Sequence, residues 1–253
     1  MLKQAVLVVF ISTMLLLAGC AGDRERALRT QTQAPELYEQ AQRQLRSQNF
    51  PAAIELFERI ESRFPFSQEA QQSQLEIVYA HYKAGNHEQA LAASERFLRE
   101  QPRHHDVDYM HYLRGLINFD RSRNFMDSLF NIDPARRDPT FTLRSFQSFA
   151  TLVANHPDSR YVPDATQRMV FLRNQLARHE LHVAEYYMRL GAWVAAAARA
   201  RTVVEQFDET PSAVDGLVIL HNAYRRLDMD ELAEDVARVV ALNYPDATRR
   251  LRN

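Results

Sequence analysis

From Glu36 to Asn243 the apolar side chains recur at helical spacing, in stretches separated by short polar breaks. The breaks themselves repeat. Pro65 and Pro102 lie 37 residues apart, as do Asn49 and Asn86, Gly191 and Asp228, and Asp208 and Pro245. Each proline follows a long amphipathic stretch, and each Asn, Gly or Asp site falls between two, so the unit is helix, turn, helix, break. Repeat one is predicted as Glu36–Arg46 and Pro51–Phe64, and repeat two as Gln68–Lys83 and His87–Glu100. Repeat three begins as Asp106–Asp120 and resumes as Thr140–Asn155. Repeat four ends its first helix at Leu190 and continues as Trp193–Gln206, and repeat five is Ser212–Arg226 and Asp230–Asn243. Pro51 suits a first helical turn, where its missing N–H is not needed, and Gly85 can take the left-handed conformation that ends a helix.

Three stretches depart from this rhythm. Residues 120–140 interrupt repeat three and carry Phe125, Met126, Leu129, Phe130 and Ile132, more apolar bulk than a solvated loop holds; an ordered, partly buried excursion is expected. It either packs back on its own repeat or meets a partner. Val162–Leu176 is an additional periodic helix that either extends the next one or stands alone. At the N-terminus, Lys3 precedes a short apolar run from Ala5 to Leu17 that ends in Leu17-Ala18-Gly19-Cys20. A charged start, a short apolar centre and small residues at the end describe a bacterial secretory signal peptide, too short for a membrane span. The Cys after Leu-Ala-Gly resembles the lipobox of bacterial lipoproteins. That resemblance implies cleavage after residue 19, acylation of Cys20 and, with Ala21 rather than Asp next, the periplasmic face of the outer membrane. Residues 20–34 are polar and without apolar period, and are read as the lipidated Cys and a flexible tether.

Composition narrows the function classes. Lys and Arg number 31 against 32 Asp and Glu, which leaves no basic excess for non-specific nucleic-acid binding. Six glycines are too few for phosphate loops or for the turns of most all-β folds. A single Cys permits neither an intramolecular disulfide nor a Cys-based zinc site. His104, His105, Asp106, Asp108 and His111 form one cluster of metal-ligand types, but it lies at a helix start where capping and the dipole already favour Asp. No HExxH, GxSxG or phosphate-loop motif is present, so a non-enzymatic scaffold without metal is expected.

Small residues recur where paired helices would approach: Ala41, Gly115 and Ala184 on first helices, and Ala53, Ala90, Ala196 and Ala233 on second helices. This pattern resembles the tetratricopeptide repeat, which implies an all-α fold, a superhelical array of about five helix pairs with a concave face. Projected onto that register, five of the ten tyrosines, Tyr38, Tyr79, Tyr82, Tyr109 and Tyr112, share the inner face with Arg46, Lys83 and Arg114. Such a set either lines a groove for a client peptide, with the cations holding a carboxylate, or packs between helices. Repeats four and five are more charged, and Arg189, Arg199, Arg201, Arg225 and Arg226 are candidates for docking a folded partner. Arg199 and Arg201 follow an alanine-rich stretch, 195–198, that is either an interface or a tightly packed pair.

Taken together, Arg63-Phe64-Pro65-Phe66-Ser67, the run from Asp108 to Leu116, Arg136-Arg137-Asp138-Pro139, Ala184-Glu185-Tyr186-Tyr187 and Gly191-Ala192-Trp193-Val194-Ala195 resemble the BamD family, tetratricopeptide lipoproteins of the outer-membrane β-barrel assembly complex. The resemblance implies a scaffold that docks a BamA-like barrel protein through its periplasmic domain, together with other assembly lipoproteins. It also implies recognition of the C-terminal signal of unfolded outer-membrane protein clients, with no cofactor beyond the covalent lipid on Cys20. The implied organisation is signal peptide 1–19, tether 20–34, N-terminal repeats 35–158 for the client, and C-terminal repeats 159–253 for the partners. A pilotin-like lipoprotein of secretin or pilus assembly is the alternative, and a cell-wall enzyme or its regulator a third.

Overall fold

A computed structural model describes residues 19–123 and 133–251, with side chains from 33 onward. Every regular element among the described residues is helical. In order they are α1 (Gly19–Arg46), α2 (Phe50–Arg63), α3 (Gln68–Lys83), α4 (His87–Glu100), α5 (Val107–Ser122), a 3-10 turn (Pro134–Arg136), α6 (Thr140–Asn155), α7 (Val162–Leu190), α8 (Trp193–Gln206), α9 (Ser212–Arg226), α10 (Asp230–Asn243) and a terminal 3-10 segment (Pro245–Leu251). The helices of repeats two and five, and the second helices of repeats three and four, have the predicted bounds.

The period of 37 marks a backbone event as well as a composition. Gly85 (φ 78°) and Gly191 (φ 73°) take the left-handed conformation, and so do Gln48 (φ 61°) and Asp228 (φ 57°), each 37 residues from one of the glycines. In each turn a helix ends, one residue reverses hand, and the next helix begins two residues later.

Two expectations need correction, and one open alternative is resolved. The stretch read as a flexible tether is helical, because α1 starts at Gly19 and runs through Pro35. Residues 23–33 contain Arg, Glu, Ala, Leu and Gln but no Gly or Pro, so helix propensity suffices without an apolar stripe. Of the two alternatives for the extra helix, the structure shows the first: it extends the next one. It is the first half of α7, 29 residues long, because no turn residue separates Leu176 from Arg178. The chain divides into compact units at Arg103/His104, one repeat earlier than the division at 158. The continuous α7 explains this: its first half packs on α6 and its second half on α8 and α9, so repeats three to five share one helix. The apolar residues of the insertion, Phe125 to Ile132, lie outside the described residues.

Unit 1 (1–103) is built on Ala41, Ala53, Leu56, Phe57, Ile60, Ala70 and Ile77. Unit 2 (104–253) holds one cluster around Phe149, Leu152, Ala165 and Leu172 and another around Ala184, Ala196, Ala200, Leu217 and Ala223. The small residues act as the pattern requires. A Cβ on Gly115 would lie 2.3 Å from the Phe149 ring, so α5 and α6 approach as closely as they do only because that atom is absent.

Candidate functional site

In unit 1 the predicted client face comprises Tyr38 and Arg46 on α1 and Tyr79, Tyr82 and Lys83 on α3. Tyr38 is already engaged: its ring packs on Phe57 at 5.6 Å, and its hydroxyl donates to Glu76 Oε1 at 3.3 Å. Gln42 Nε2 donates to both oxygens, at 3.0 Å to Tyr38 and 2.7 Å to Glu76. Burial pushes the Glu76 carboxyl up, partly offset by these two hydrogen bonds, and burial beside Glu76 pushes the Tyr38 phenol up. Tyr79 and Tyr82 are half-buried, with the Tyr82 ring 6.3 Å from that of His87, and Arg46 and Lys83 are exposed. Rings with one wet edge next to solvated cations can take an apolar side chain and a carboxylate together.

The other three predicted client residues, Tyr109, Tyr112 and Arg114, stand on α5 in unit 2, and α7 comes down on two of them. Tyr112 stacks on Tyr161 at 4.7 Å and 17°, tilts against Phe149 at 5.9 Å, and donates to Asp164 Oδ2 at 2.7 Å. Tyr109 meets the same Tyr161 ring at 5.4 Å. Burial, then the hydrogen bond to Asp164, pushes the Tyr112 phenol up to about 12. Arg168 Nε donates to Asp164 at 2.6 Å and, with Tyr112, holds that carboxyl below the usual range. Arg114 is half-buried, and its Nε is buried without a hydrogen-bond partner among the described residues.

The five candidate docking arginines are all exposed, and each has an intramolecular contact. Arg199 pairs with Glu180 at 2.9 Å, Arg225 pairs with Asp230 at 2.9 Å, and Arg201 donates to the Tyr224 hydroxyl at 2.7 Å. Arg226 lies over the Trp193 ring at 5.4 Å and Arg189 over the Tyr186 ring at 5.9 Å. The alanine-rich stretch resolves toward packing at its inner side, since Ala196, Ala197 and Ala200 are buried while Ala198 and Arg199 face solvent. Cys20 lies in the first turn of α1, and its side chain is outside the described residues.

In the histidine cluster, the ligand-type atoms of His104, His105 and Asp106 lie within 4.8 Å of one another. His104 Nδ1 accepts from the Asp106 backbone N–H at 3.1 Å, and His105 Nε2 lies 3.0 Å from Asp106 Oδ2, contacts local to the helix start.

Sequence reasoning missed one constellation. The 3-10 turn after the insertion is clasped to α7: Asp133 pairs with Arg178 at 3.0 Å and with His182 Nε2 at 2.9 Å, and His179 Nδ1 meets the Ala135 carbonyl at 2.8 Å. Desolvation raises the Asp133 carboxyl, but these contacts and the Ala135 N–H outweigh it and hold it below the usual range. Beside the clasp is a pocket of about 270 Å³ bounded by Arg136, Tyr186, Tyr187 and Arg189. The partners lie 44 to 49 residues apart, so no local signal could have paired them.

Comparison with known proteins follows this geometry. The outer membrane lipoprotein family YfiO matches residues 30–239. A relative from Neisseria gonorrhoeae is 41% identical over 93% of this chain and 90% of its own length. One from Vibrio cholerae is 38% identical over 82% of this chain and 86% of its own. One from Xylella fastidiosa is 34% identical over 95% of this chain and 82% of its own. All three carry the name outer membrane protein assembly factor BamD.

Proposed function

The chain belongs to the YfiO family of outer membrane lipoproteins, and from that premise we propose that it is a non-enzymatic scaffold for assembly of outer-membrane β-barrel proteins. The observation that carries this reading is the extent of the likeness: assembly factors match it nearly end to end. Their names favour assembly over a pilotin-like role. In this reading Cys20 carries the lipid that holds the chain at the periplasmic face of the outer membrane, and no cofactor is needed. A multi-chain lipid anchor gains about 0.8 kcal/mol per buried CH₂, enough for stable attachment.

Tyr79, Tyr82, Arg46 and Lys83 in unit 1 receive the C-terminal segment of an unfolded client, an alternating strand that ends in an aromatic residue and a free carboxylate. Two half-exposed rings and two exposed cations on adjacent helices support that role. The more charged second half docks the periplasmic domain of a BamA-like barrel and other assembly lipoproteins, with Arg189, Arg199, Arg201, Arg225 and Arg226 at the contact. Exposed ion pairs on a rim contribute more to orientation and association rate than to affinity.

The test is a mild-detergent pull-down of the tagged full-length chain from cell envelopes, read by mass spectrometry. A barrel protein with periplasmic repeats should dominate the catch. A secretin or cell-wall enzymes in its place would overturn the assembly reading.

A further inference from the structure

The pocket beside the 3-10 turn has a charge pattern that the fold itself does not use. Asp133 is spent on Arg178, His182 and the Ala135 N–H, and His179 is spent on the Ala135 carbonyl. What remains at the rim is Arg136 on the turn and Arg189 on α7. Among the described residues Arg136 makes no ion pair, and Arg189 makes none either, lying over the Tyr186 ring at 5.9 Å. Two guanidinium groups on the lining of one small pocket match a planar carboxylate, one taking both oxygens through two parallel N–H bonds and the other reaching the remaining lone pairs.

A third charged group on the lining decides which anion fits. Glu185, 3.5 Å from His182, keeps a carboxylate on the pocket lining. A phosphate with close to two negative charges would meet that group at short range, whereas a single carboxylate is outnumbered by the two arginines. The lining also carries Tyr186 and Tyr187, their rings 5.9 Å apart, with Tyr186 51% exposed. One turn further along the same helix face Leu190 is 61% exposed. The apolar surface therefore continues past the pocket, so a ligand would extend beyond its charged group rather than end there.

We propose that this pocket binds an acidic side chain within an extended segment of a partner protein, the carboxylate held between Arg136 and Arg189 and a neighbouring apolar side chain laid on Tyr186 and Leu190. The occupant is an internal Asp or Glu flanked by aromatic or branched residues. This site is distinct from the client face on α1 and α3 but shares Arg189 with the docking residues proposed above, and so deepens that reading; because its binding is measured with pure components, its failure leaves the assembly role standing.

The test uses the full-length chain in mild detergent and three fluorescein-labelled heptapeptides, titrated by anisotropy. The first has Leu-Asp-Phe at its centre and both ends blocked, the second replaces Asp by Asn, and the third is the Asn peptide with a free C-terminal carboxylate. The Asp peptide should bind at least tenfold more tightly than either other peptide. Arg136→Ala with Arg189→Ala should erase that preference while circular dichroism shows the helices intact. Glu185→Gln should tighten the Asp peptide two- to threefold, and Arg225→Ala with Arg226→Ala should leave it unchanged. Equal binding of the Asp and Asn peptides, no binding of any peptide up to about 1 mM, or an equal loss in the Arg225/Arg226 variant would overturn the site. Tighter binding of the free-carboxylate peptide would overturn the internal side chain as the occupant.

Discussion

Tyr38 in unit 1 and Tyr112 in unit 2 sit two periods of 37 apart, and the fold uses them in the same way up to a point. Each packs on a phenylalanine of the second helix of its own repeat, Phe57 or Phe149, at 5.6 or 5.9 Å. Each donates its hydroxyl to a carboxylate on the following first helix, Glu76 or Asp164. The carboxylates then diverge. Asp164 is clamped by Arg168 and stays ionised, whereas among the described residues Glu76 has only Gln42 and Tyr38, and burial makes its charge costly. Tyr112 also stacks on Tyr161, whereas among the described residues Tyr38 meets only the Phe57 ring. The same register position is thus a locked packing element where the long α7 covers it, and a neighbour of half-open tyrosines where no such helix follows. A residue's place in a repeat says which face it occupies; the next helix decides whether that face is available.

The largest expected effect contrasts the close-packing sites. Val78 in unit 1 is fully buried at the register where unit 2 has Gly115, 37 residues on. Gly115→Val should cost more than about 3 kcal/mol, or prevent unit 2 from folding, because it drives side-chain carbon into the buried Phe149 ring. Thermal melts check this, and a loss under 1 kcal/mol would mean that α5 and α6 are not as close as described.

Next come the two tyrosines. Tyr112→Ala should cost about 2–4 kcal/mol and Tyr38→Ala about 1–2, the difference being the Tyr161 stack and the stronger hydrogen bond. Denaturant titrations that rank them the other way would break the comparison.

The smallest effects are opposite in sign. Asp164 has a lowered pKa in the folded chain, so its contribution is present above the unfolded value near 3.9 and is lost as pH falls through the folded value. Glu76 has a raised pKa, so its ionisation opposes folding once pH exceeds its unfolded value, near 4.3, and the penalty is complete above the folded value. At pH 7 Asp164→Asn should cost about 0.5–1 kcal/mol, a modest figure because the side chain is 44% exposed and water screens it. Glu76→Gln should gain a similar amount, about 0.5–1 kcal/mol, while keeping the hydrogen bonds. Melting curves from pH 3 to 8 measure both, and equal signs for the two at pH 7 would refute the contrast.

How much of this was legible follows the range of each signal. The 37-residue period carried the helix bounds, because turns and close-packing sites are local and repeat. It also explains why Phe57 lies 19 residues after Tyr38 but Phe149 lies 37 after Tyr112: the 18-residue difference is the insertion. The left-handed Gln48 and Asp228 were hidden because neither is glycine, although their spacing from Gly85 and Gly191 could have exposed them. The helical continuity of α7 stayed open because an apolar period cannot distinguish one long helix from two that abut. The tyrosine face was readable as a face, but Tyr161 and Asp164, which close it in unit 2, come from the cap and first turn of α7, some fifty residues away. The Asp133 clasp had no sequence signal at all, being single polar residues that meet across the fold.

The most direct measurement of the central claim is the affinity of a synthetic client C-terminal peptide, with an alternating apolar pattern and a free terminal phenylalanine, for three forms of the full-length chain. Tyr79→Ala with Tyr82→Ala should weaken binding at least tenfold. Tyr112→Phe, which removes only the hydroxyl that α7 already occupies, should leave it within twofold of the unsubstituted chain. Unchanged affinity in the first variant, or a tenfold loss in the second, would contradict a receptor face in unit 1.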